Sequence, residues 1–330
     1  MSPKPLGTMI RWTATSDAAS PAGVWFRFRA REQGGEFRMV RDFSVSNELD
    51  WTALDEGVFE VEVTARDRVS QDTATAFSTF ELVPRVEFGP AVAPTTHPLV
   101  FIFSSPGCET GRARVRFESD DGRVQYTPFK PCEPGRTLNF YLAGLAPNSS
   151  HRATLEVEGA RSPSASGSQA ATGREVRFET GEASYPLALP AVLEAASPES
   201  AEILLQTPLY QRPLATDSKG QMLWYGPEGL FLLTRPEPGG VFFGLLESRV
   251  DPALDRMRKF DLVGMTLLET NAARVSEQLV AMGKRPITSF HHEARTLRNG
   301  NIALIAGVEQ ILTDVQRPGP VDVLADMIVV

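Results

Sequence analysis

Two of the four histidines in this 330-residue chain are adjacent, in Phe290-His291-His292-Glu293-Ala294-Arg295-Thr296-Leu297-Arg298-Asn299-Gly300-Asn301. Imidazole is well suited to exchanging protons or stabilising a negative group near neutral pH. The run reads as a strand, and neighbouring strand residues face opposite ways, so at most one of the two histidines is expected in any one site. A metal site built from both is disfavoured for that reason. Glu293 and Asp314 are the nearest other ligand types, and they show no recognisable ligand spacing. The plain alternative is two hairpin histidines without chemistry, one half-buried and one solvated. Cys108 and Cys132 are the two cysteines, too few for a structural zinc site. They read either as a single disulfide, if the protein works outside the cytosol, or as two buried thiols. Asn148-Ser149-Ser150 fits a glycosylation sequon and equally a plain turn. The chain contains no G-x-S-x-G elbow and no G-x-x-x-x-G-K-[ST] loop, so serine-hydrolase chemistry and a Walker-type nucleotide site lack support.

The elements around these residues read as strands almost throughout. Gly57-Val58-Phe59-Glu60-Val61-Glu62-Val63-Thr64-Ala65-Arg66 alternates most cleanly. Runs at 8–14, 24–31, 36–43 and 75–83 complete a first segment, 1–85, expected to be an immunoglobulin-like β-sandwich that lacks its first strand. Segment 86–181 repeats the style, with strands at 98–103, 112–117 and 154–158. A small polar loop is expected at 162–168, and a Pro/Ala-rich bridge, 182–199, marks a domain boundary. From 200 to 330 short strands come with D-x-x-G turns and aromatics, the pattern of propeller blades. One helix is expected after Asn271 as N-cap, with Val275, Leu279 and Met282 on one face and Gly283 as its stop. Asn299-Gly300 is the strongest hairpin signal.

Two resemblances add to this reading. Phe140-Tyr141-Leu142-Ala143-Gly144-Leu145-Ala146-Pro147-Asn148-Ser149-Ser150-His151 resembles the E–F corner of fibronectin type III domains, with His151 where an aromatic usually sits. That makes 86–181 a fibronectin-III-like sandwich. The run H-H-E-x-x-x-L-x-N-G-N resembles a hairpin motif of the arylsulfate sulfotransferases, with Arg298 in place of the usual proline. Asp217-x-x-Gly220-x-x-x-Trp224 and Phe260-Asp261-x-x-Gly264 are similar to early blade strands of that family, and Arg274 to Leu279 also fits. The likeness covers about residues 200–330.

It implies an all-β protein in which two sandwiches precede the first blades of a six-bladed propeller. Such enzymes move a sulfuryl group from an aryl sulfate to a phenol through a sulfohistidine. They use no nucleotide sulfate and no cofactor or metal. His292, five residues before Leu297, matches the motif's channel histidine and would bind the sulfate oxygens and the leaving phenolate. The family's W-x-H-x-N motif, later arginine and nucleophilic histidine have no match, so the chain is expected to be an N-terminal portion that is inactive alone. A periplasmic or secreted parent protein is implied as well. The competing expectation is a non-catalytic surface-binding protein with immunoglobulin-like modules and a propeller, or a decayed gene fragment.

Composition narrows the partners. Net charge is −8, and no run of five lysines or arginines occurs, so nucleic acid and anionic membrane surfaces are not expected. No stretch of about 18 apolar residues could span a bilayer. The opening Met1-Ser2-Pro3-Lys4-Pro5 lacks the apolar core of a signal peptide.

Overall fold

A computed structural model describes residues 2–17, 23–159, 171–183, 203–208 and 211–330. The polar loop expected at 162–168 and nearly all of the bridge at 182–199 lie outside these residues. The described chain is nearly all β, with several sheets, none of them closed, and one α-helix.

The first third contains β1 (Lys4–Pro5), β2 (Ile10–Thr13), β3 (Val24–Glu32), β4 (Arg38–Ser44), β5 (Glu48–Trp51), β6 (Gly57–Asp67) and β7 (Thr73–Val83). Strands β1, β7, β6, β3 and β4 hydrogen-bond in that order, while β2 and β5 form a separate ribbon. Leu49 and the two tryptophans Trp12 and Trp51 of that ribbon cover Phe26, Phe28, Val40 and Val61. Removing this apolar area from water is what holds the ribbon on the sheet. In β3, Val24, Trp25 and Phe26 are all buried. Its two faces are both covered, since the Arg68 guanidinium lies 4.4 Å over the Trp25 ring.

The middle third contains β8 (Ala91–Pro94), β9 (Phe101–Ser105), β10 (Arg112–Ser119), β11 (Val124–Tyr126), β12 (Lys130–Pro131), β13 (Leu138–Leu142), β14 (Ser150–Glu158), β15 (Ala171–Thr172) and β16 (Val176–Glu179). The β13-β9-β8 sheet and the sheet centred on β10 and β14 meet over Phe101, Phe103, Val115, Phe117, Phe140, Leu142 and Leu155.

The last third contains β17 (Leu204–Gln206), β18 (Leu214–Thr216), β19 (Met222–Tyr225), β20 (Leu230–Glu237), β21 (Val241–Leu246), β22 (Arg256–Asp261), β23 (Thr266–Asn271), the helix α1 (Ala272–Ala281), β24 (Ser289–Thr296), β25 (Ile302–Thr313) and β26 (Pro320–Val329). These strands form three successive antiparallel meanders: β17–β19, β20–β23 and β24–β26. A parallel contact of β23 with β4, Glu269 opposite Arg41, joins the second meander to the first third, giving one nine-stranded sheet.

Asn271 caps α1, its Oδ1 accepting from the Arg274 N–H at 2.9 Å, and Gly283 follows in the left-handed region at φ 69°. Val275 and Leu279 are buried against Phe290, Ala294 and Leu304. Met282, expected on the same face, is 64% exposed. It is the C-cap, with φ −88° and ψ 7°, and has left the helical register that would have turned it inward. The Asn299-Gly300 hairpin forms with a different turn from the two-residue one its sequence suggests. The Gly300 N–H donates to Leu297 O and the Leu297 N–H to Asn301 O, with positive φ at Gly300 and not at Asn299. That is a type I turn closed by a glycine bulge. Asp217–Gln221 and Asp261–Met265 carry the same pattern, with Gly220 and Gly264 at the positive-φ position.

Candidate functional site

The histidine pair stands on an irregularity in β24. Phe290 pairs with Ala306 and Ala294 with Leu304, so His291, His292 and Glu293 together oppose the single residue Ile305. The surplus is taken up as a bulge, with His292 at φ 63°. Phe290 and Ala294 flank it and are both buried, which fixes the bulge at its two ends. The expected alternation of the two histidines therefore fails, because His292 at φ 63° leaves the extended backbone on which the period of two depends. His292 is exposed, and His291 keeps 26% of its side chain accessible. Their Nδ1 atoms are 2.9 Å apart in a hydrogen bond, with ring centroids 5.1 Å apart and planes at 85°. On its other side, His291 Nε2 lies 3.2 Å from Asp326 Oδ1 of β26. Gly307 pairs with Ser289 on one side and Asp326 on the other, so no side chain stands between those two.

The charges around the bulge are paired. Arg235 of β20 meets Glu293 at 3.4 Å. Lys259 of β22 meets Glu237 of β20 at 2.8 Å and donates to Thr296 Oγ1. Glu237 also accepts from the Thr296 N–H, and Thr234 Oγ1 donates to Ala294 O, which ties β20 along the edge of β24. Chemically, the arrangement is a carboxylate, an imidazole and a second imidazole in line, ending at the solvent. Among the described residues no group of three His, Cys, Asp or Glu side chains is placed to hold a metal ion.

Cys108 and Cys132 form a disulfide, with Cα atoms 5.1 Å apart. Both pack against the core of the middle third. His151 is buried and stacks on Phe178 with ring centroids 5.3 Å apart.

Two titrating groups escaped the sequence reading. His97 is buried, its Nδ1 accepting from the Leu99 N–H and its Nε2 3.1 Å from Tyr225 O; burial pushes its pKa down to about 4. Asp261 is pushed up to about 6, chiefly by burial. It accepts from the Val263 and Met265 N–H groups and bonds the Tyr141 phenol. The D-x-x-G pattern was the available signal for Asp261, but nothing local marks its partner in β13. Perturbed groups often mark function. These two have their partners in place and join β19 and the β22 turn to the middle third, so their work is structural. A depression of about 490 Å³ lined by Asp120, Arg123, Asn148, Asp217 and Lys219 lies between the middle third and the first meander, and neither histidine of the pair lines it. No helix among the described residues is long and apolar enough to cross a membrane.

No family model matches the chain, and no curated protein matches it. Among solved structures, one titled the crystal structure of the eukaryotic initiation factor is similar over 92% of this chain and 96% of its own, at 9% identity and a TM-score of 0.17. A likeness at that score carries no argument about fold or function.

Proposed function

We propose that residues 200–330 are the opening blades of an arylsulfate sulfotransferase propeller and that His292 meets the sulfate ester of an aryl sulfate. The two halves before them are read as immunoglobulin-like and fibronectin-III-like sandwiches. The observation that carries the reading is the bulge: it presents an exposed His292 whose Nδ1 is already engaged, leaving Nε2 as the free nitrogen. The three meanders in chain order, two of them with D-x-x-G turns, suit consecutive blades.

In this reading the sulfur–oxygen bond of the aryl sulfate breaks, the sulfuryl group passes to a histidine outside these 330 residues, and a phenol then receives it. His292 stabilises the charge that grows on the sulfate oxygens and the departing phenolate. No nucleotide sulfate, cofactor or metal takes part. The Cys108–Cys132 disulfide suits a periplasmic or secreted location.

A second reading, a non-catalytic surface-binding protein, is favoured by one observation. Ile311, Leu324 and Ile328 on one face of the β25–β26 ribbon are each at least 70% exposed and are interleaved with Glu309, Asp322 and Asp326, a mixed apolar and acidic surface open to a partner.

Turnover of 4-nitrophenyl sulfate by the complete reading frame separates the two. His292→Ala is expected to lower the release of nitrophenolate by on the order of 10²–10³, the usual loss of one transition-state donor. Wild-type activity in that variant would end the assignment. Residues 1–330 alone are expected to bind the ester without turning it over.

A further inference from the structure

We infer that His291 and Asp326 are positioning residues that fix the neutral His292 in one tautomer and make its Nε2 the nitrogen that takes up and gives back the proton facing the ligand. The inference rests on the reading of His292 given above and goes beyond it by assigning its two supports.

A carboxylate offers only acceptors and its charge favours a hydrogen on the imidazole nitrogen nearest it; His291 Nε2 lies 3.2 Å from Asp326 Oδ1 in an ion-pair contact, which favours the tautomer with its hydrogen on Nε2. A neutral imidazole has one N–H, which leaves His291 Nδ1 as a lone pair. His292 Nδ1, 2.9 Å away, must then be the donor of their shared hydrogen bond. Its own Nε2 is left bare, on an exposed side chain. One tautomer thus dictates the next along the line, as a second partner does for many functional histidines.

The other charges near the bulge do not disturb this order. Glu293 is held by Arg235, and Glu237 by Lys259 and the Thr296 N–H. Asp326 is the carboxylate that touches the pair. The bulge is what makes the line possible, because a regular strand would send the two rings to opposite faces.

The chemical consequence is a single proton-exchange atom. A phenol acceptor can give its proton to Nε2, the O–H bond breaking as the N–H bond forms. His292 then carries a hydrogen on both nitrogens until the next aryl sulfate arrives, whose departing phenolate takes the Nε2 proton and restores the lone pair. While it is held, Nε2–H is a donor to sulfate oxygen.

The test is a ¹H–¹⁵N correlation of the imidazole groups of the whole 330-residue chain at a pH where they are neutral. His292 is expected to show a protonated Nδ1 and a bare Nε2. His97 is the internal reference: its Nδ1 accepts from the Leu99 N–H, so it holds the opposite tautomer, and its signals must not change if the fold is intact. Asp326→Ala removes an exposed side chain, and His291→Phe keeps the bulk of a ring. In both variants His292 is expected to shift towards the Nε2–H form. The inference is overturned if wild-type His292 carries its hydrogen on Nε2, or if both variants leave its tautomer unchanged. Adding phenyl sulfate separates this inference from the functional reading. A tautomer that depends on Asp326, with no response to phenyl sulfate, keeps the positioning role and rejects the sulfate ester as ligand. A response to phenyl sulfate with a tautomer indifferent to Asp326 does the reverse.

Discussion

His97 and Asp261 answer acid in opposite directions. Burial holds His97 at about 4 in the fold against 6.5 for its ordinary value. The unfolded chain therefore takes up that proton first, and the stability His97 contributes is complete above pH 6.5 and lost as pH falls towards 4. Asp261 sits at about 6 against 3.8, so the folded state takes up its proton first and gains stability as pH falls from about 6 to 3.8. Each displacement corresponds to on the order of 3 kcal/mol, so the contributions of these two groups largely cancel between pH 6 and 4. Asp261→Asn keeps an oxygen for the Val263 and Met265 N–H groups and removes the buried charge. It is expected to match or exceed wild-type stability at pH 8 and to lose stability more steeply on acidification, because His97 then acts alone. Urea unfolding at pH 8 and pH 4.5 checks this, and equal destabilisation at both would contradict it. The adjacent pair His291-His292 was visible in the sequence as a cluster. The contact of its two rings with each other and with Asp326 was not, because the two surplus residues of β24 become visible only when counted against β25.

At the scale of elements, β23 and α1 carry the junction with the first third. Asn271 acts twice: its Oδ1 caps α1, and its Nδ2 donates to Phe43 O of β4 at 2.7 Å. Asn271→Asp retains the cap but turns the donor into a buried carboxylate oxygen facing the Phe43 carbonyl, at an expected cost of more than about 3 kcal/mol. Asn271→Ala loses both cap and donor without burying a charge, at an expected cost of about 2–4 kcal/mol. Glu269 is 1% exposed and lies between Arg41 at 2.6 Å and Arg258 at 2.5 Å, with Arg256 at 3.8 Å. Glu269→Gln leaves buried guanidiniums uncompensated and should cost about 3–5 kcal/mol. The exposed pair Arg11–Asp50 is the control: its removal should change unfolding by less than about 1 kcal/mol. Cap, stop glycine and hairpin glycines were all readable, since each is a local backbone requirement. The Arg41–Glu269 contact was not, because pairing between residues so far apart leaves no period in the chain.

For the molecule as a whole, alternation and turn residues were enough to indicate an all-β chain, while the joining of first and last thirds through β4 and β23 depends on buried charges that no pattern announces. The β25–β26 ribbon has consequences at this scale. β26 has a hydrogen-bonded neighbour on one side only among the described strands, and Leu324 and Ile328 are 70% and 74% exposed. Such an edge favours association, so light scattering should show concentration-dependent assembly that Leu324→Lys reduces. A monomer at every concentration would contradict that expectation. The central claim, that the bulged His292 meets an aryl sulfate, is tested most directly by titrating phenyl sulfate into the 330-residue chain while following the imidazole protons of its four histidines. Saturable movement of His292 and its partner His291, with buried His97 and His151 unmoved and the response lost in His292→Ala, is the result predicted. Signals of His291 and His292 that stay still at saturating ester would contradict it.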